Sequence, residues 1–562
     1  MFLPTTKAEL AKLGWGRPDV ILVTGDTYID SAYIGVAVIG RALEAAGFRV
    51  AVIAQPDDKT NDISRLGEPK LFWGVTGGSV DSLVANYTAT LKRRKSDDFT
   101  PGGENNRRPD RATIAYSNLI RRYFKNTVPI VLGGIEASLR RIAHYDYWSN
   151  KVRKSILFDA KADFLVYGMG EATVRQLAKA LRDDGDVKSI HGLSYIAKEP
   201  PEDYTELPSF EDVKSDKAKF IEAFRIFNRN NDPLSASGLF QRQDTRYLVQ
   251  NPPPALMTTA ELDQVFEHPY ENDVHPYYKA QGVVRALDTI KYSITTHRGC
   301  YGECNFCAIA IHQGKTVVSR SEASILREAE GFARDPKFTG VIRDVGGPTA
   351  NMYGFECERK LLKGSCAEKR CLYPKVCKKL LPNHSRQINL LRKLRQINGV
   401  RKVFVASGIR PDVALGDKQR GRVYIEEIVR HHVSGQLKLA PEHSDERVLK
   451  AMGKPGSDSL LEFRKIFNEV SKKVGKKQFL TYYLIAAHPG CSEGEMRSLH
   501  GFVRSELRLM PEQVQVFTPL PLTWSGVMYY TEQNPFTGEQ IFVEKSNHRK
   551  QLQKEIITGR GR

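Results

Sequence analysis

Residues 290–307 read IKYSITTHRGCYGECNFC, and this stretch indicates both a fold and a chemistry. The first part, 290–295, has the length and composition of a short β-strand. Cys300, Cys304 and Cys307 follow it in a CxxxCxxC spacing. Cysteine thiolates hold iron–sulfur clusters, and a four-iron cluster normally takes four of them. With three in the loop, one iron would lack a protein ligand, and an open coordination site is typical of a metal centre that performs chemistry.

A zinc site is the alternative for these three cysteines. Zinc sites favour paired CxxC spacings and a fourth ligand. Apart from His312, no His or Cys lies at a suitable offset from the loop. Phe306, directly before the third cysteine, is placed to pack against a bound cofactor.

The strand at 290–295 begins a regular alternation of strands and helices. Five further strand candidates follow it, at 340–345, 402–406, 435–440, 479–486 and 513–518. Helix patterns lie between them, at 321–335, 385–398, 411–433, 444–473 and 493–509. Six parallel strands with helical crossovers make three quarters of a (β/α)₈ barrel. Since such barrels carry their chemistry at the carboxyl ends of the strands, the cysteine loop lies where a site is expected.

The first 200 residues also alternate short apolar runs with helix patterns, which predicts an α/β doubly wound domain. Its strand candidates are 19–24, 48–54, 70–75, 128–132 and 162–167. The whole chain is therefore predicted to contain four regions. They are a Rossmann-like N-terminal domain at 1–200, a Pro-rich connecting segment at 201–285, the six-stranded partial barrel at 286–530 with a Cys-rich basic insertion at 354–383, and a C-terminal tail at 531–562.

Composition excludes several classes of protein. A length of 562 residues indicates three or four domains at about 100–200 residues each. The hydrophobic share of 41% excludes a wholly disordered chain. No stretch approaches the ~18 apolar residues of a membrane helix, and no secretory signal is visible, so we expect no membrane association. Eight cysteines, seven of them clustered, are typical of metal ligands in a reducing cytoplasm.

The CxxxCxxC loop after the first strand of a partial barrel resembles the signature of the radical S-adenosylmethionine (radical SAM) superfamily. That resemblance implies that Cys300, Cys304 and Cys307 bind a 4Fe-4S cluster. It also implies that the amino and carboxylate groups of SAM chelate the open iron. An electron from the reduced cluster then cleaves SAM to methionine and a 5′-deoxyadenosyl radical, which abstracts hydrogen from the substrate.

Segments after the later strands resemble further elements of the superfamily. Gly346 and Gly347, followed by Pro348, are similar to a Gly-Gly-Glu-Pro element whose backbone contacts the amino group of SAM, with Pro348 in place of the Glu. In ASGIRPD, Ser407 and Arg410 stand where related proteins contact the ribose or carboxylate of SAM.

Nearly the whole chain resembles the YgiQ-type radical SAM proteins, a family that brings no defined substrate. The resemblance is carried by FLPTTKAEL, TGDTYIDSAYIGVAVIGR, GGIEASLRR, GPTANMYGF and PLPLTWSGVMYYT. Two further segments, LAPEHSDERVLKAMGKPG and LIAAHPGCSEGEM, are similar to the methylthiotransferase-like branch.

A doubly wound domain before such a barrel resembles a cobalamin-binding domain. The resemblance implies backbone positions that line a crevice at the strand ends: Gly133, Gly134, Gly168 and Gly170. The usual Asp-x-His-x-x-Gly motif is present only in part, as Asp30 to Gly35, with Ala32 where the cobalt-binding histidine would stand. Two alternatives follow: cobalamin binds without a lower protein ligand, or the domain has lost the cofactor and serves structure and substrate positioning. We favour the loss.

A second group of cysteines, Cys357, Cys366, Cys371 and Cys377, falls within the basic insertion. Four thiols suit an auxiliary iron–sulfur cluster or structural zinc, and free thiols are the third alternative. Residues 357–402 hold fourteen Lys/Arg against two Asp/Glu, most of the net charge of +19. Such a patch attracts phosphates, although a solvated basic helix face is the simpler alternative.

The sequence therefore predicts a cytoplasmic radical SAM enzyme, with RNA or a nucleotide-containing molecule favoured as substrate through residues 357–402. A protein or small-metabolite substrate is the alternative within the same chemistry. A non-catalytic iron–sulfur protein that senses redox state or binds nucleic acid is the alternative outside it. The superfamily resemblance implies an electron donor such as flavodoxin or ferredoxin.

Overall fold

The computed structural model describes residues 1–509, 511 and 514–559. The chain divides into two compact units. The N-terminal unit comprises residues 1–256 and 264–291, and the C-terminal unit comprises 257–263 and 292–562.

The N-terminal unit contains thirteen strands among the described residues. These are β1 (Val20–Thr24), β2 (Ile29–Asp30), β3 (Val50–Ala54), β4 (Phe72–Thr76), β5 (Ile130–Gly133), β6 (His144–Asp146), β7 (Lys151–Arg153), β8 (Phe164–Val166), β9 (Leu193–Ala197), β10 (Thr205–Leu207), β11 (Leu239–Gln243), β12 (Arg246–Gln250) and β13 (Asp273–Val274). Its helices are α1 (Lys7–Lys12), α2 (Gly35–Ala45), α3 (Ser82–Asn86), α4 (Ala112–Tyr123), α5 (Gly134–Ser138), α6 (Ile156–Ala160), α7 (Glu171–Arg182), α8 (Phe210–Ser215), α9 (Lys217–Arg229), α10 (Thr259–Glu267, which crosses the division between the units), α11 (Pro276–Lys279) and α12 (Ala286–Ile290).

Five parallel strands form one side of a nine-stranded sheet, in the spatial order β3-β1-β4-β5-β8 with β3 at the edge. Numbered along the chain, this is the order 2-1-3-4-5 of a flavodoxin-like doubly wound sheet. All five residues of β1 and of β3 are buried, as expected for strands covered on both faces. The predicted doubly wound fold of this part of the chain is confirmed.

The sheet continues beyond these strands with β9, β12, β11 and β10. β9 runs antiparallel to β8, and β12 antiparallel to β9. Three of these strands lie within 201–285, where we expected an extended Pro-rich connection. The difference has a simple cause, because the prolines at 252–254 follow the end of β12 and remove no donor from the ladder.

The C-terminal unit contains nine strands among the described residues. These are β14 (Ser293–Thr295), β15 (His297–Arg298), β16 (Val318–Ser319), β17 (Val341–Ile342), β18 (Asp344–Gly346), β19 (Lys402–Val403), β20 (Gln436–Glu442), β21 (Phe479–Ala486) and β22 (Val514–Val516). Its helices are α13 (Ile309–His312), α14 (Glu322–Arg334), α15 (Glu358–Lys363), α16 (Ser385–Gln396), α17 (Pro411–Gly416), α18 (Gly421–His431), α19 (Glu446–Met452), α20 (Asp458–Lys473), α21 (Glu493–Phe502), α22 (Trp524–Thr531) and α23 (Asn547–Thr558). Short 3₁₀ turns lie at Asp62–Ser64 and Ala350–Met352, and a π-helical turn lies at Val503–Leu507.

The strands of the C-terminal unit pair in chain order, as a partial barrel requires. β14 pairs parallel with β18, β17 with β19, β20 with β21, and β21 with β22. A parallel bridge from Ile409 to Leu439 connects the third strand position to the fourth. Within 1–509, 511 and 514–559, no ladder joins β22 back to β14, so the barrel is open. The predicted six-stranded partial barrel is confirmed, with Gln513 of the last strand candidate outside the described residues.

The C-terminal residues, expected as a tail, include a packed helix. Ile557 of α23 is fully buried in the same apolar core as Leu484 of β21 and Val514 of β22. Gln553 accepts a hydrogen bond from the Ala487 N–H over 2.8 Å. Arg560, Gly561 and Arg562 lie outside the described residues.

Candidate active site

A short ladder closes the base of the loop that carries the three cysteines. β15 pairs antiparallel with β16, so the chain between them leaves and re-enters the fold at one point. Gly299 begins this loop with a φ of +85°, and a Cβ there would lie 2.1 Å from the Thr316 carbonyl oxygen. Only glycine tolerates this approach. The loop therefore begins at Gly299, after β14 and the short strand β15.

The sulfur atoms of Cys300 and Cys304 face the same backbone position. A Cβ built on Gly302 would lie 3.2 Å from Cys300 Sγ and 3.8 Å from Cys304 Sγ. The Gly302 N–H donates to Cys300 Sγ over 3.3 Å. Cys307 joins the pair through its N–H, which donates to the Cys304 carbonyl oxygen over 3.0 Å. The fold thus brings all three half-buried cysteines together in one loop.

Burial determines the protonation of these thiols. It raises the pKa of Cys307 to about 12 and also raises that of Cys300, and the neighbouring Cys304 adds to both shifts. Without a bound metal these two thiols are protonated at neutral pH, so metal binding must release protons. Among the described residues, no three His, Cys, Asp or Glu side chains are placed to share one metal ion. Each thiolate of a four-iron cluster binds a different iron, however, so this spread donor set fits a cluster rather than a single ion.

Arg410 places a cation beside these sulfurs. Its Nη1 donates toward Cys304 Sγ over 3.6 Å. Asp412 accepts from the guanidinium twice, over 3.0 Å from Nε and 2.6 Å from Nη2. Asn351 accepts from the Arg410 N–H over 2.9 Å, which fixes the backbone. Although burial opposes the charge, Asp412 and Cys304 hold the pKa of Arg410 above its ordinary value.

The glycine turn after β18 is closely packed. A Cβ on Gly346 would lie 2.7 Å from Ser407 Oγ, and one on Gly347 would lie 2.6 Å from Cε1 of His297. Gly346 is buried, whereas Gly347 and Pro348 form the half-exposed part of the turn. Any larger residue at either glycine would therefore push the turn out of place.

Ser407 and Gly346, which we predicted to contact SAM, already form hydrogen bonds within the protein. The Ser407 N–H donates to Asp344 over 3.0 Å, and its hydroxyl donates to the same carboxylate. The Gly346 carbonyl oxygen accepts from the Thr296 N–H over 2.7 Å. A contact from this region to SAM would therefore involve Gly347, Pro348 or the Asp344–Ser407 pair.

The sequence analysis did not find three residues that shape the site. His297 is fully buried and lies 2.9 Å through Nδ1 from Thr296 Oγ1, while its Nε2 has no hydrogen-bond partner among the described residues. Burial lowers the pKa of His297 to about 4, so the ring is neutral at pH 7. The position of His297 in the sequence, between the predicted strand and the cysteines, could have indicated that it lies at the site. Asn351 and Asp412 offered none, because only their contacts with Arg410 in the folded chain reveal their role.

Phe306 connects the cysteine loop to the far strands of the barrel. Its ring lies edge-to-face on that of His488, with centroids 6.2 Å apart. His488 in turn lies 5.0 Å from the Phe517 ring and, through Nε2, 2.7 Å from Ser525 Oγ. The predicted contact of Phe306 with a cofactor stays a prediction.

The second group of cysteines divides three to one. Cys357, Cys371 and Cys377 lie in one small apolar cluster. Cys366 is exposed and accepts a hydrogen bond from Arg359 Nη1 over 3.1 Å. Structural zinc needs four convergent ligands, which this placement does not supply within the described residues. The zinc alternative stays a prediction, as does the auxiliary cluster.

The crevice of the N-terminal sheet is filled by the protein's own atoms. In a 2-1-3-4-5 sheet, ligands bind at the carboxyl ends of the strands where the order reverses, here β1 and β4. A Cβ on Gly25, which follows β1, would lie 2.2 Å from the carbonyl oxygen of Gly77, which follows β4. Buried Arg108 fills the same edge and pairs with Asp26 at 2.8 Å and Asp97 at 3.0 Å.

Of the other predicted crevice glycines, Gly134 and Gly170 are closely packed, Gly168 uses its N–H within the protein, and Gly133 makes only an ordinary contact. A Cβ on Gly134 would lie 2.3 Å from Thr76 Oγ1, and one on Gly170 would lie 2.7 Å from Val166 Cγ1. The Gly168 N–H donates to Ser138 Oγ over 3.2 Å, and a Cβ on Gly133 would have the Val166 carbonyl oxygen at 3.8 Å. With Ala32 in place of the cobalt-binding histidine as well, the residues at this edge do not fit a cobalamin.

No helix within the described ranges is both long enough and apolar enough to cross a lipid bilayer.

Comparison with known proteins gives strong matches along the chain. A family model described as Radical SAM N-terminal matches residues 2–293, and a Domain of unknown function (DUF3362) matches residues 512–560. A UPF0313 protein of Fusobacterium nucleatum is 57% identical over 559 residues, which cover 99% of this chain and 98% of the relative. UPF0313 proteins of Thermotoga maritima and Methanocella arvoryzae are 51% and 47% identical; the matches cover 99% and 98% of this chain and 98% and 92% of those relatives.

Two solved structures share the fold. TsrM from Kitasatospora setae, a radical SAM methyltransferase with cobalamin and a [4Fe-4S] cluster bound, has a TM-score of 0.51 at 15% identity; the match covers 91% of this chain and 74% of that one. OxsB, a cobalamin-dependent SAM radical enzyme with aqua-cobalamin bound, has a TM-score of 0.50 at 12% identity, over 90% and 54% of the two chains. At these identities the likeness shows the fold alone. The sequence matches carry the family assignment: the chain belongs to the UPF0313 family, and through it to the radical SAM superfamily.

Proposed function

We propose that this radical SAM enzyme holds a 4Fe-4S cluster on Cys300, Cys304 and Cys307 and uses SAM to modify its substrate. When bound, the cluster and SAM supply a 5′-deoxyadenosyl radical that abstracts hydrogen. One observation carries the proposal: two of the three thiols, those of Cys300 and Cys304, meet groups from two neighbouring strand ends. Thr349, after the glycine turn, lies 3.9 Å through Oγ1 from Cys300 Sγ, and Arg410 reaches Cys304 Sγ at 3.6 Å.

In this proposal the residues around the loop position charge and exclude water. Arg410 faces sulfurs that carry negative charge as metal ligands, and Asp412 keeps its guanidinium from rotating. Gly347 and Pro348 present a half-exposed backbone on which the amino group of SAM can rest. Burial of His297 behind that turn gives it a rigid support.

We propose an auxiliary iron–sulfur cluster at the second cysteine group. Cys357, Cys371 and Cys377 support it, since they share one apolar cluster with Cys300. Burial raises the pKa of Cys371 to about 12, so this thiol too must lose a proton on binding metal.

As substrate we propose RNA or another nucleotide-containing molecule, modified in the cytoplasm. The support is the positive charge of residues 357–402. An anionic polymer held by lysines and arginines is released by salt, so RNA affinity should fall about tenfold or more between 50 and 200 mM salt. Binding that is insensitive to salt, or absent, would favour a protein or small-metabolite substrate.

The deciding experiment is anaerobic reconstitution followed by reduction with dithionite in the presence of SAM. We expect wild type to contain about eight irons per chain, about four at each cysteine group, and to form 5′-deoxyadenosine. About four irons with the same activity would reject the auxiliary cluster and leave the second group to zinc or free thiols. Cys304→Ala should lose the catalytic cluster and all product. Cys491→Ala, which removes the one cysteine outside both groups, should match wild type.

A spectroscopic measurement distinguishes the proposed enzyme from the alternative, a non-catalytic iron–sulfur protein. SAM should change the electron paramagnetic resonance spectrum of the reduced cluster in wild type, even if turnover awaits the substrate. If the cluster is fully loaded and its spectrum does not change on addition of SAM, the proposed chemistry is rejected. The remaining alternative is then a protein that senses redox state or binds nucleic acid.

A further inference from the structure

The outer side of the Cys-rich insertion exposes large apolar side chains beside unpaired lysines. Leu362 and Leu381 are 79% and 73% exposed, and Leu361 is 49% exposed. Leu381 also has a φ of +49°, an uncommon conformation for a bulky residue. We call these leucines, together with Lys363, Lys369, Lys375, Lys378 and Lys379, the insertion surface.

The positive charge of the basic region is not spread evenly. On α16, Arg392 and Arg395 both pair with Glu427, and Lys393 pairs with Glu322. The five lysines of the insertion surface are all exposed, and none has an ion-pair or hydrogen-bond partner within the described residues. The insertion therefore holds five exposed lysines without an acidic partner in the described part of the chain, while Arg386, Arg401 and Lys402 are further exposed cations of the basic region outside it.

The inner side of the insertion lies directly on the cysteine loop. Arg370 Nη1 donates to the Glu303 carbonyl oxygen over 3.1 Å. Lys360 on α15 donates to the Lys315 carbonyl oxygen over 2.7 Å, while the next two residues of that helix are the exposed leucines. Cys300 itself belongs to the apolar cluster of the insertion. The insertion and the cysteine loop are therefore packed against each other.

From these contacts we propose that the insertion surface docks an acidic electron-carrier protein, one that carries a flavin or an iron–sulfur cluster. The proposal rests on the proposed function, because it names the source of the electron for the cluster at Cys300, Cys304 and Cys307. One electron leaves the reduced carrier, which is oxidised by one electron, and the cluster is reduced by the same amount.

Both parts of the surface contribute to this choice of partner. Unpaired lysines steer an acidic protein and set its association rate. Exposed leucines add apolar contact area, which marks protein interfaces and which a phosphate backbone does not need. The combination favours a protein at the insertion surface, so RNA bound through residues 357–402 would use the exposed Arg386, Arg401 and Lys402 outside it.

The test uses flavodoxin as the probe and the full-length, reconstituted protein. Two double variants change the surface: Lys378→Glu with Lys379→Glu, and Leu361→Ser with Leu362→Ser. The matched control is Lys472→Glu with Lys473→Glu, an exposed lysine pair at the end of α20. Flavodoxin affinity and the rate of cluster reduction by reduced flavodoxin are measured at low and high salt, and dithionite reduction is measured in parallel.

We expect each surface variant to weaken flavodoxin binding and slow flavodoxin-driven reduction about tenfold, with the control within about twofold of wild type. The lysine variant should also lose most of the salt dependence. Dithionite needs no docking, so it should reduce all four proteins equally.

Two results would overturn the docking proposal: unchanged flavodoxin affinity in both surface variants, or a loss confined to RNA binding in the lysine variant alone. Failure of the proposed function has a different signature, because dithionite would then reduce no cluster in wild type. Flavodoxin affinity tests the surface in either case.

Discussion

His297 and Gly347 form a contact that leaves no room for another atom. The ring is fully buried and held through Thr296, so it cannot withdraw. A methyl group on Gly347 would lie 2.6 to 2.9 Å from three ring atoms. The turn that faces the cysteines therefore depends on the absence of a side chain.

Gly347→Ala should separate SAM binding from cluster binding. We expect the displaced turn to lower SAM affinity at least about tenfold, while iron content stays at the wild-type value because the cysteine loop is untouched. Titration of SAM against the reduced cluster, followed by paramagnetic resonance, measures both. Gly331→Ala on α14 is the control, since its Cβ would have only Arg334 Nη2 at 3.9 Å. Equal SAM affinity in Gly347→Ala and Gly331→Ala would show that the turn does not contribute to SAM binding.

Individual site residues were predictable where a spacing pattern carries the chemistry. The three cysteines and the glycine pair belong to short linear motifs, so the sequence places them. The role of Asp412 was not predictable although it is two residues from Arg410, because the ion pair exists only in the folded geometry. Likewise the Asp344–Ser407 pair joins residues 63 positions apart.

Strands and helices were predictable where burial is apolar. β3 reads VAVIA and is wholly buried, so composition alone indicates it. α23 shows the opposite case: its buried positions are Lys550, Gln553 and Ile557, two of which are polar. Lys550 Nζ donates to the Tyr529 hydroxyl over 2.9 Å, and Gln553 Nε2 donates to the Cys491 carbonyl oxygen over 3.1 Å. Because these buried polar groups are satisfied by distant partners, the sequence of α23 shows no clear apolar stripe from which its burial could be predicted.

Removing the fully buried apolar side chain of α23 should destabilise the C-terminal unit. Ile557→Ala deletes a fully buried side chain from the barrel core, which costs about 2–5 kcal/mol. The matched control Lys554→Ala changes a half-buried position of the same helix and should cost less than about 0.5 kcal/mol. Calorimetric melting of the reconstituted protein measures both. Identical transition temperatures would mean that α23 contributes no stability.

Across the whole molecule, fold and cofactor content need not agree. The chain shares its two-part architecture with TsrM and OxsB, both solved with cobalamin bound. The part of the N-terminal unit that would have to accept such a ligand is instead cross-linked by buried ion pairs, Arg108 with Asp26 and Asp97, and Arg140 with Asp81. Pairs of this kind are costly to break singly, because the remaining charge is left buried. Ala32, in place of the cobalt-binding histidine, was visible in the sequence, whereas the close packing at this edge required the structure.

We accordingly expect this protein to retain no cobalamin. After incubation with hydroxocobalamin and gel filtration, corrinoid absorbance should correspond to well below about 0.1 per chain, because a ligand would have to displace the buried Arg108 network. Ala32→His restores the missing ligand type without opening the crevice, so it should bind no better than wild type. If wild type retained about one corrinoid per chain, the crevice would have to open in solution. Retention by Ala32→His alone would show that the histidine, rather than the occupied crevice, controls binding.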